Sequence, residues 1–160
     1  MVIPRLLVTA ALALGFAGVA PAADPAPDFS LPTATGVIKL QSLRGKTVYL
    51  DFWASWCGPC RKSFPWMNEM RRRYADRGLV IVTVNVDKDR KLADRFLEEY
   101  PADFTVAYDP EGKVASTYKV KGMPSSYLID RAGYIRYRHI GFREAAKAEI
   151  ESQIESLLAP

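Results

Sequence analysis

The 160-residue chain holds only two cysteines, two residues apart in Trp56-Cys57-Gly58-Pro59-Cys60. A structural disulfide over so short a span would close almost no chain and gain little loop entropy, so the spacing points to reactivity. Thr47 to Trp53 is β-branched and aromatic, the composition of a buried strand. Cys57 to Tyr74 reads as a helix interrupted at Pro65, whose ring removes one amide donor. The pair therefore stands where a strand gives way to a helix N-terminus, and unpaired amides and the helix dipole there favour an anion. Cys57 is the thiol whose pKa should fall, and its thiolate is the nucleophile. Cys60, one turn on, can attack a mixed disulfide formed on Cys57, and the short spacer makes that step intramolecular.

The elements that must position this pair follow from periodicity and turn residues. Asp24 to Asp28, with Pro25 and Pro27, reads as an extended lead-in, and Phe29 to Leu40 as two short extended pieces around Thr35-Gly36. Leu79 to Val86 is a near-continuous apolar run, as in a central parallel strand covered on both faces. Lys88 to Tyr100 repeats Leu92, Phe96 and Tyr100 at four-residue spacing, and Pro101 stops that helix. Phe104 to Tyr108 is a short strand, and Asp109 to Gly112 turns into a helical piece reaching about Tyr118. Ser125 to Ile129 and Tyr134 to Ile140 flank Asp130-Arg131-Ala132-Gly133 as an antiparallel hairpin. Glu144 to Leu158 closes the chain as a helix with Ile150, Ile154, Leu157 and Leu158 on one face. The order is an α/β one: a central mixed sheet flanked by helices, preceded by an extended or β-hairpin extension.

Residues 1–23 are read as a signal peptide and 24–160 as the single folded domain. Arg5 precedes an uncharged apolar stretch, Leu6 to Ala20, and Ala20-Pro21-Ala22 offers small residues for cleavage. That stretch, about 15 residues, is short of the roughly 20 that span a bilayer. The expected location is the periplasm, with a membrane anchor as the alternative if the segment is retained. The net charge of +4 comes from interspersed charges of both signs. The densest basic run, Arg71-Arg72-Arg73, reads as a solvated helix face, so no nucleic-acid partner is expected.

Asp51-Phe52-Trp53-Ala54-Ser55-Trp56-Cys57-Gly58-Pro59-Cys60 resembles the active-site stretch of thioredoxins, and Gly122-Met123-Pro124-Ser125 resembles their cis-proline loop. Pro27-Asp28-Phe29-Ser30-Leu31-Pro32, with the leader, is similar to the opening of the TlpA/ResA-like periplasmic branch. The resemblance implies the thioredoxin fold and thiol–disulfide oxidoreductase activity through Cys57 and Cys60, with that redox-active disulfide the only cofactor and no metal. It implies that Pro124 is a cis-proline facing the cysteines and that the Met123 backbone pairs with a substrate strand. Asp51 takes the place of the family's buried aspartate, a carboxyl with a raised pKa that accepts the Cys60 proton. Trp56, Gly58 and Pro59 complete the substrate-binding surface. Implied partners are cysteine-containing protein substrates and a membrane electron donor of the DsbD type, and the protein is expected to be a monomer.

Three positions depart from the pattern. The periplasmic relatives often carry asparagine where this chain has Asp51, and the ResA-like subgroup has a glutamate where this chain has Ser63. Thr83 stands where thioredoxin has a buried lysine. The Gly-Pro spacer is that of thioredoxin, whose couple lies near −270 mV, so reduction of protein disulfides is the leading expectation, in cytochrome c or copper-oxidase maturation or on other exported proteins. Two alternatives use the same cysteines. One is a disulfide-forming oxidase; the other is a Cu(I)-binding module, poorly supported by one histidine, His139, and four methionines. Peroxide chemistry fits only the Pro27–Pro32 opening, and the paired motif argues against it.

Overall fold

The computed structural model describes residues 24–159. The expected signal peptide, 1–23, lies outside the described residues. Six strands form the main sheet: β1 (Asp24–Pro25), β4 (Thr47–Trp53), β5 (Leu79–Asn85), β6 (Thr105–Tyr108), β7 (Ser125–Ile129) and β8 (Tyr134–Ile140), in the order β1-β8-β7-β4-β5-β6. The β4, β5 and β6 strands are parallel, while β7 runs antiparallel to β4 and to β8. A separate two-stranded hairpin, β2 (Ser30–Pro32) and β3 (Val37–Lys39), reaches the sheet's far edge through a bridge from Thr33 to Ala107 of β6. This is the mixed sheet, with its N-terminal hairpin, that the residue order implies.

Among the described residues four α-helices cover it: α1 (Cys60–Tyr74), α2 (Arg90–Glu99), α3 (Lys113–Thr117) and α4 (Lys147–Leu158). Successive parallel strands with right-handed crossovers put both connecting helices on one face. Accordingly α1 and α2, with α4, bury Phe64, Met67, Met70, Phe96, Ile150 and Ile154 against Tyr49 and Trp53 of β4. The opposite face, Val48, Leu50 and Phe52, is covered by Phe29, Leu31 and Leu40 of the N-terminal segment and by Ala115 and Tyr118 around α3. All seven residues of β4 are buried, as a strand between two layers requires.

The strands β4, β7 and β8 have the bounds their composition predicts. Helix starts differ. The α1 helix begins at Cys60 rather than Cys57, because Gly58-Pro59 make a turn and Cys57 stays outside the ladder. Helix α2 begins at Arg90 rather than Lys88, because the Asp89 carboxylate accepts the Lys91 amide and caps the first turn. The final helix opens with a short 3₁₀ turn, Glu144–Ala146, before α4. Pro65 sits inside α1, so the Arg61 carbonyl has no amide to accept from at that position. Arg72 and Arg73 are solvated and ion-paired, to Asp103 and Glu151. Among the described residues no helix is long and apolar enough to cross a membrane.

Candidate active site

The β4 strand ends at Trp53 and the chain turns through Ala54-Ser55-Trp56 before the cysteines. Asp87, just past β5, holds that turn. Its carboxylate accepts the Ser55 amide (2.8 Å), the Ser55 hydroxyl (2.9 Å) and the Asn85 side-chain amide (2.7 Å). The Cys57 amide donates to the Ala54 carbonyl at 3.0 Å, and the Val86 amide to the Trp53 carbonyl at 3.0 Å. Asp87 is 6% exposed, and its anchoring role escaped the sequence reading. The signal available was an acidic residue closing a buried strand.

Cys57 and Cys60 are joined as a disulfide, with Cα atoms 5.4 Å apart. Both are buried, whereas neighbouring Trp56 is 69% exposed. Cys57 occupies the position preceding the first helical turn, and the Cys60 amide donates to its Sγ at 3.2 Å. One of the helix's otherwise unpaired first-turn amides is thus aimed at the Cys57 sulfur, which favours negative charge there. Ser63, in the position of the subgroup's glutamate, is buried and donates to the Cys60 carbonyl at 3.1 Å, so it adds no acidic group beside the pair.

The Met123–Pro124 peptide is cis. The Ser125 hydroxyl donates to the Gly122 carbonyl at 2.7 Å, and the Gly141 amide to the Pro124 carbonyl at 2.7 Å, tying this loop to the end of β8. Met123 is half-buried and touches both cores. Ile140, 69% exposed, closes β8 beside this loop: a Cβ placed on Gly122 would lie 3.9 Å from its Cγ2. Its exposure was not foreseen from sequence, since a strand-end isoleucine reads as core.

Asp51 is 1% exposed and shares its face of β4 with Tyr49 and Trp53, which pack in one cluster with both cysteines. Burial holds its carboxyl well above the usual carboxylate range. Its Oδ2 has no hydrogen-bond partner among the described residues, nor has the hydroxyl of its β5 neighbour, Thr83. Threonine therefore supplies no cation beside Asp51. Trp53 Nε1 is unpaired as well. His139 is hydrogen-bonded through both ring nitrogens, to Ser126 and Gln153, and is not presented as a ligand to the thiols. Among the described residues no group of three or more His, Cys, Asp or Glu side chains is placed to hold a metal ion.

Comparison with known proteins agrees with this geometry. The Redoxin family model matches residues 21–156. The thiol-disulfide oxidoreductase ResA of Bacillus cereus is 35% identical over 133 residues, 82% of this chain and 76% of the relative. The thioredoxin-like protein YneN of Bacillus subtilis is 37% identical over 134 residues, 81% and 76% of the two chains. A crystal structure from Chlorobium tepidum, assigned as the thiol:disulfide interchange protein DsbE, superposes with a TM-score of 0.84 at 54% identity, covering 86% of this chain and 97% of the other. The central mixed sheet, its flanking helices and the Cys57–Cys60 pair thus have a common origin: the chain belongs to the Redoxin family, has the thioredoxin-like fold, and is a thiol–disulfide oxidoreductase of the ResA-like kind.

Proposed function

We propose that the protein reduces disulfides of exported cysteine-containing proteins, with Cys57 as the attacking and Cys60 as the resolving thiol. The observation that carries this assignment is the Cys60 amide aimed at Cys57 Sγ, which supports a thiolate on Cys57 and not on its partner. In the reduced protein the Cys57 thiolate attacks a substrate disulfide, forming a mixed disulfide and releasing one substrate thiolate. Asp51 in its ionised form takes the Cys60 proton as that sulfur attacks Cys57. The Cys57–Cys60 bond forms, the bond to the substrate breaks, and the second substrate sulfur leaves as a thiolate. The substrate leaves with two electrons more, and the protein with its disulfide.

The surroundings suit a protein substrate. Trp56, next to Cys57 in the chain, and Ile140, beside the cis-proline loop, are exposed and Met123 is half-buried, an apolar set suited to contact with a protein. Gly58 and Pro59 leave its approach low, with nothing within 4 Å of a Cβ placed on Gly58. The cis-proline loop presents the Met123 backbone to an extended substrate segment in the manner of strand addition. Residues 1–23, read as a cleaved leader, direct the chain to the periplasm, where a membrane donor of the DsbD type returns the pair to the dithiol. The protein works there as a monomer. Among substrates, apocytochrome c and the copper-site proteins of respiratory oxidases need reduced cysteines. Ser63, a neutral hydroxyl turned to backbone, argues for the broader range over the haem-specific one.

The test is trapping. Cys60→Ser is expected to accumulate mixed disulfides with periplasmic proteins, released by added thiol, and Cys57→Ser to accumulate none. Equal trapping by Cys57→Ser would reverse the assignment of the two sulfurs.

A further inference from the structure

Strand direction brings four stretches of chain to one end of the sheet. The parallel strands β4, β5 and β6 all finish there, and β7, antiparallel to β4, begins there. Strand β8, antiparallel to β7, finishes there as well. Counting the first α-helical turn that each feeds, the stretches are 54–63, with the cysteines, 86–93, 109–124 and 141–150. Contacts join them. Asp87 after β5 holds Ser55, the Gly141 amide after β8 donates to the Pro124 carbonyl, and Met123 packs against the core that contains both cysteines.

The charges at this end are unbalanced. These stretches hold ten basic and six acidic side chains, a net +4, while the rest of residues 24–160 hold eleven basic and twelve acidic, a net −1. Each of the six acids is engaged close by. Asp87 and Asp109 are buried and accept local donors, Asp89 caps α2, and Glu149 accepts from Gln153. Glu111 and Glu144 are ion-paired to Lys113 and Lys147. Most of the bases are not engaged. Arg61 and Lys62 follow Cys60, Lys88 and Lys91 follow Asp87, Lys119 and Lys121 precede the cis-proline, and Arg143 follows β8. All seven are exposed, and none has an ion pair among the described residues.

Lys119 adds an independent observation. Helix α3 closes with the Lys119 amide donating to the Ser116 carbonyl (2.9 Å) and the Val120 amide to the Ala115 carbonyl (3.0 Å). That pair of bonds is the Schellman closure, whose left-handed residue is usually glycine because a Cβ is disfavoured there. Lys119 takes this place at φ 56°, the one non-glycine residue at positive φ among the described residues. What it supplies at that backbone cost is a cation beside the cis-proline loop.

We propose that this end of the molecule is a docking surface for disulfides carried on acidic protein segments. The cations steer and orient the segment, and Trp56, Met123 and Ile140 meet its apolar side chains. The inference rests on Cys57 attacking protein disulfides, and it names the class of protein attacked. A protein occupant fits better than a lipid surface, because the cations share their end with the reacting sulfur and with a loop suited to an extended chain. The run Arg71-Arg72-Arg73 takes no part: it lies in the last turn of α1, toward the other end, with Arg72 and Arg73 already paired.

The experiment mixes the reduced protein with two cyclic disulfide peptides, identical except for glutamates or glutamines beside the cysteines, and reads the ratio of their rates. The acidic peptide is expected to react about tenfold faster at about 0.02 M salt, and the ratio to fall toward one at about 0.5 M. The triple variant Lys88→Gln, Lys119→Gln, Lys121→Gln is expected to bring the low-salt ratio near one. Lys46→Gln, Arg71→Gln, Arg77→Gln, the same charge change at the opposite end, is expected to keep most of it. Lys119→Gly alone should unfold at higher urea yet lower the ratio, separating the charge of the lysine from its part in the fold. A wild-type ratio near one, or equal loss in the two triple variants, overturns the docking surface. A ratio near one together with cosedimentation on phosphatidylglycerol–phosphatidylcholine vesicles assigns the cations to a lipid surface and overturns it too. Brisk reduction of both peptides in those cases leaves the reductase reading standing; reduction of neither peptide fells both.

Discussion

Asp51 concentrates the cost of the chemistry in one side chain. Its carboxyl is buried, one oxygen is unpaired, and the neighbouring hydroxyl of Thr83 is unpaired too. Because burial raises its folded-state pKa above the ordinary 3.8, the folded protein holds this proton at pH values where the unfolded chain has released it. Stability attributable to this group therefore falls as pH rises from 3.8 through the raised value. Asp51→Asn is expected to abolish that fall and to be more stable at neutral pH by about 1–3 kcal/mol, the scale of an unsatisfied buried polar group. Urea unfolding of the oxidised protein at pH 5 and pH 8 checks both points; equal pH dependence in the two proteins would contradict the burial argument. The aspartate was legible in the sequence through the motif, as were both cysteines and Pro124. Asp87 was not, because its hold on Ser55 joins residues far apart in the chain that only the pairing of β4 with β5 brings together.

At the scale of elements, strands were easier to read than helix starts. The residues of β4 and β8 are dense in β-branched and aromatic side chains, and β7 is set off by Pro124 before it and the Asp130–Gly133 turn after it, so composition and turn residues delimit them. Helix starts are set by local capping: Cys57 Sγ accepts the Cys60 amide and Asp89 accepts the Lys91 amide, each outside the helix it closes. These contacts depend on backbone geometry that apolar spacing does not encode. The turn before Cys57 depends in the same way on Asp87, whose carboxylate takes three donors. Asp87→Ala leaves the Ser55 and Asn85 donors without it and is expected to cost about 2–3 kcal/mol in chemical denaturation. Its mixed-disulfide formation should slow as well, because the turn that places Cys57 loosens. A stable variant with normal kinetics would show that the turn holds itself.

The molecule as a whole is two cores on either side of one sheet, and the chemistry belongs to one of them. The cysteines, Trp53 and α1, α2 and α4 share a core, while the N-terminal segment and α3 close the other. Phe29 is 7% exposed on that second face, its ring centroid 6.4 Å from that of Tyr118. Phe29→Ala is expected to cost about 3–5 kcal/mol and to leave the rate of attack by Cys57 on a disulfide unchanged while the protein stays folded. A matched loss of reactivity in the folded variant would mean that the faces are coupled through β4. The N-terminal extension was visible from Thr35-Gly36 and its flanking apolar residues. Its bridge to the far edge strand at Ala107 was not, because that contact depends on where the hairpin lands in three dimensions.

The central claim, that this dithiol works as a reductant, is tested most directly by the equilibrium reduction potential of the Cys57–Cys60 couple in a defined thiol–disulfide buffer. The Gly-Pro spacer predicts a value near that of thioredoxin, about −270 mV. A couple more oxidising than about −180 mV, in the range of disulfide isomerases and oxidases, would contradict it and assign the same two sulfurs to disulfide formation.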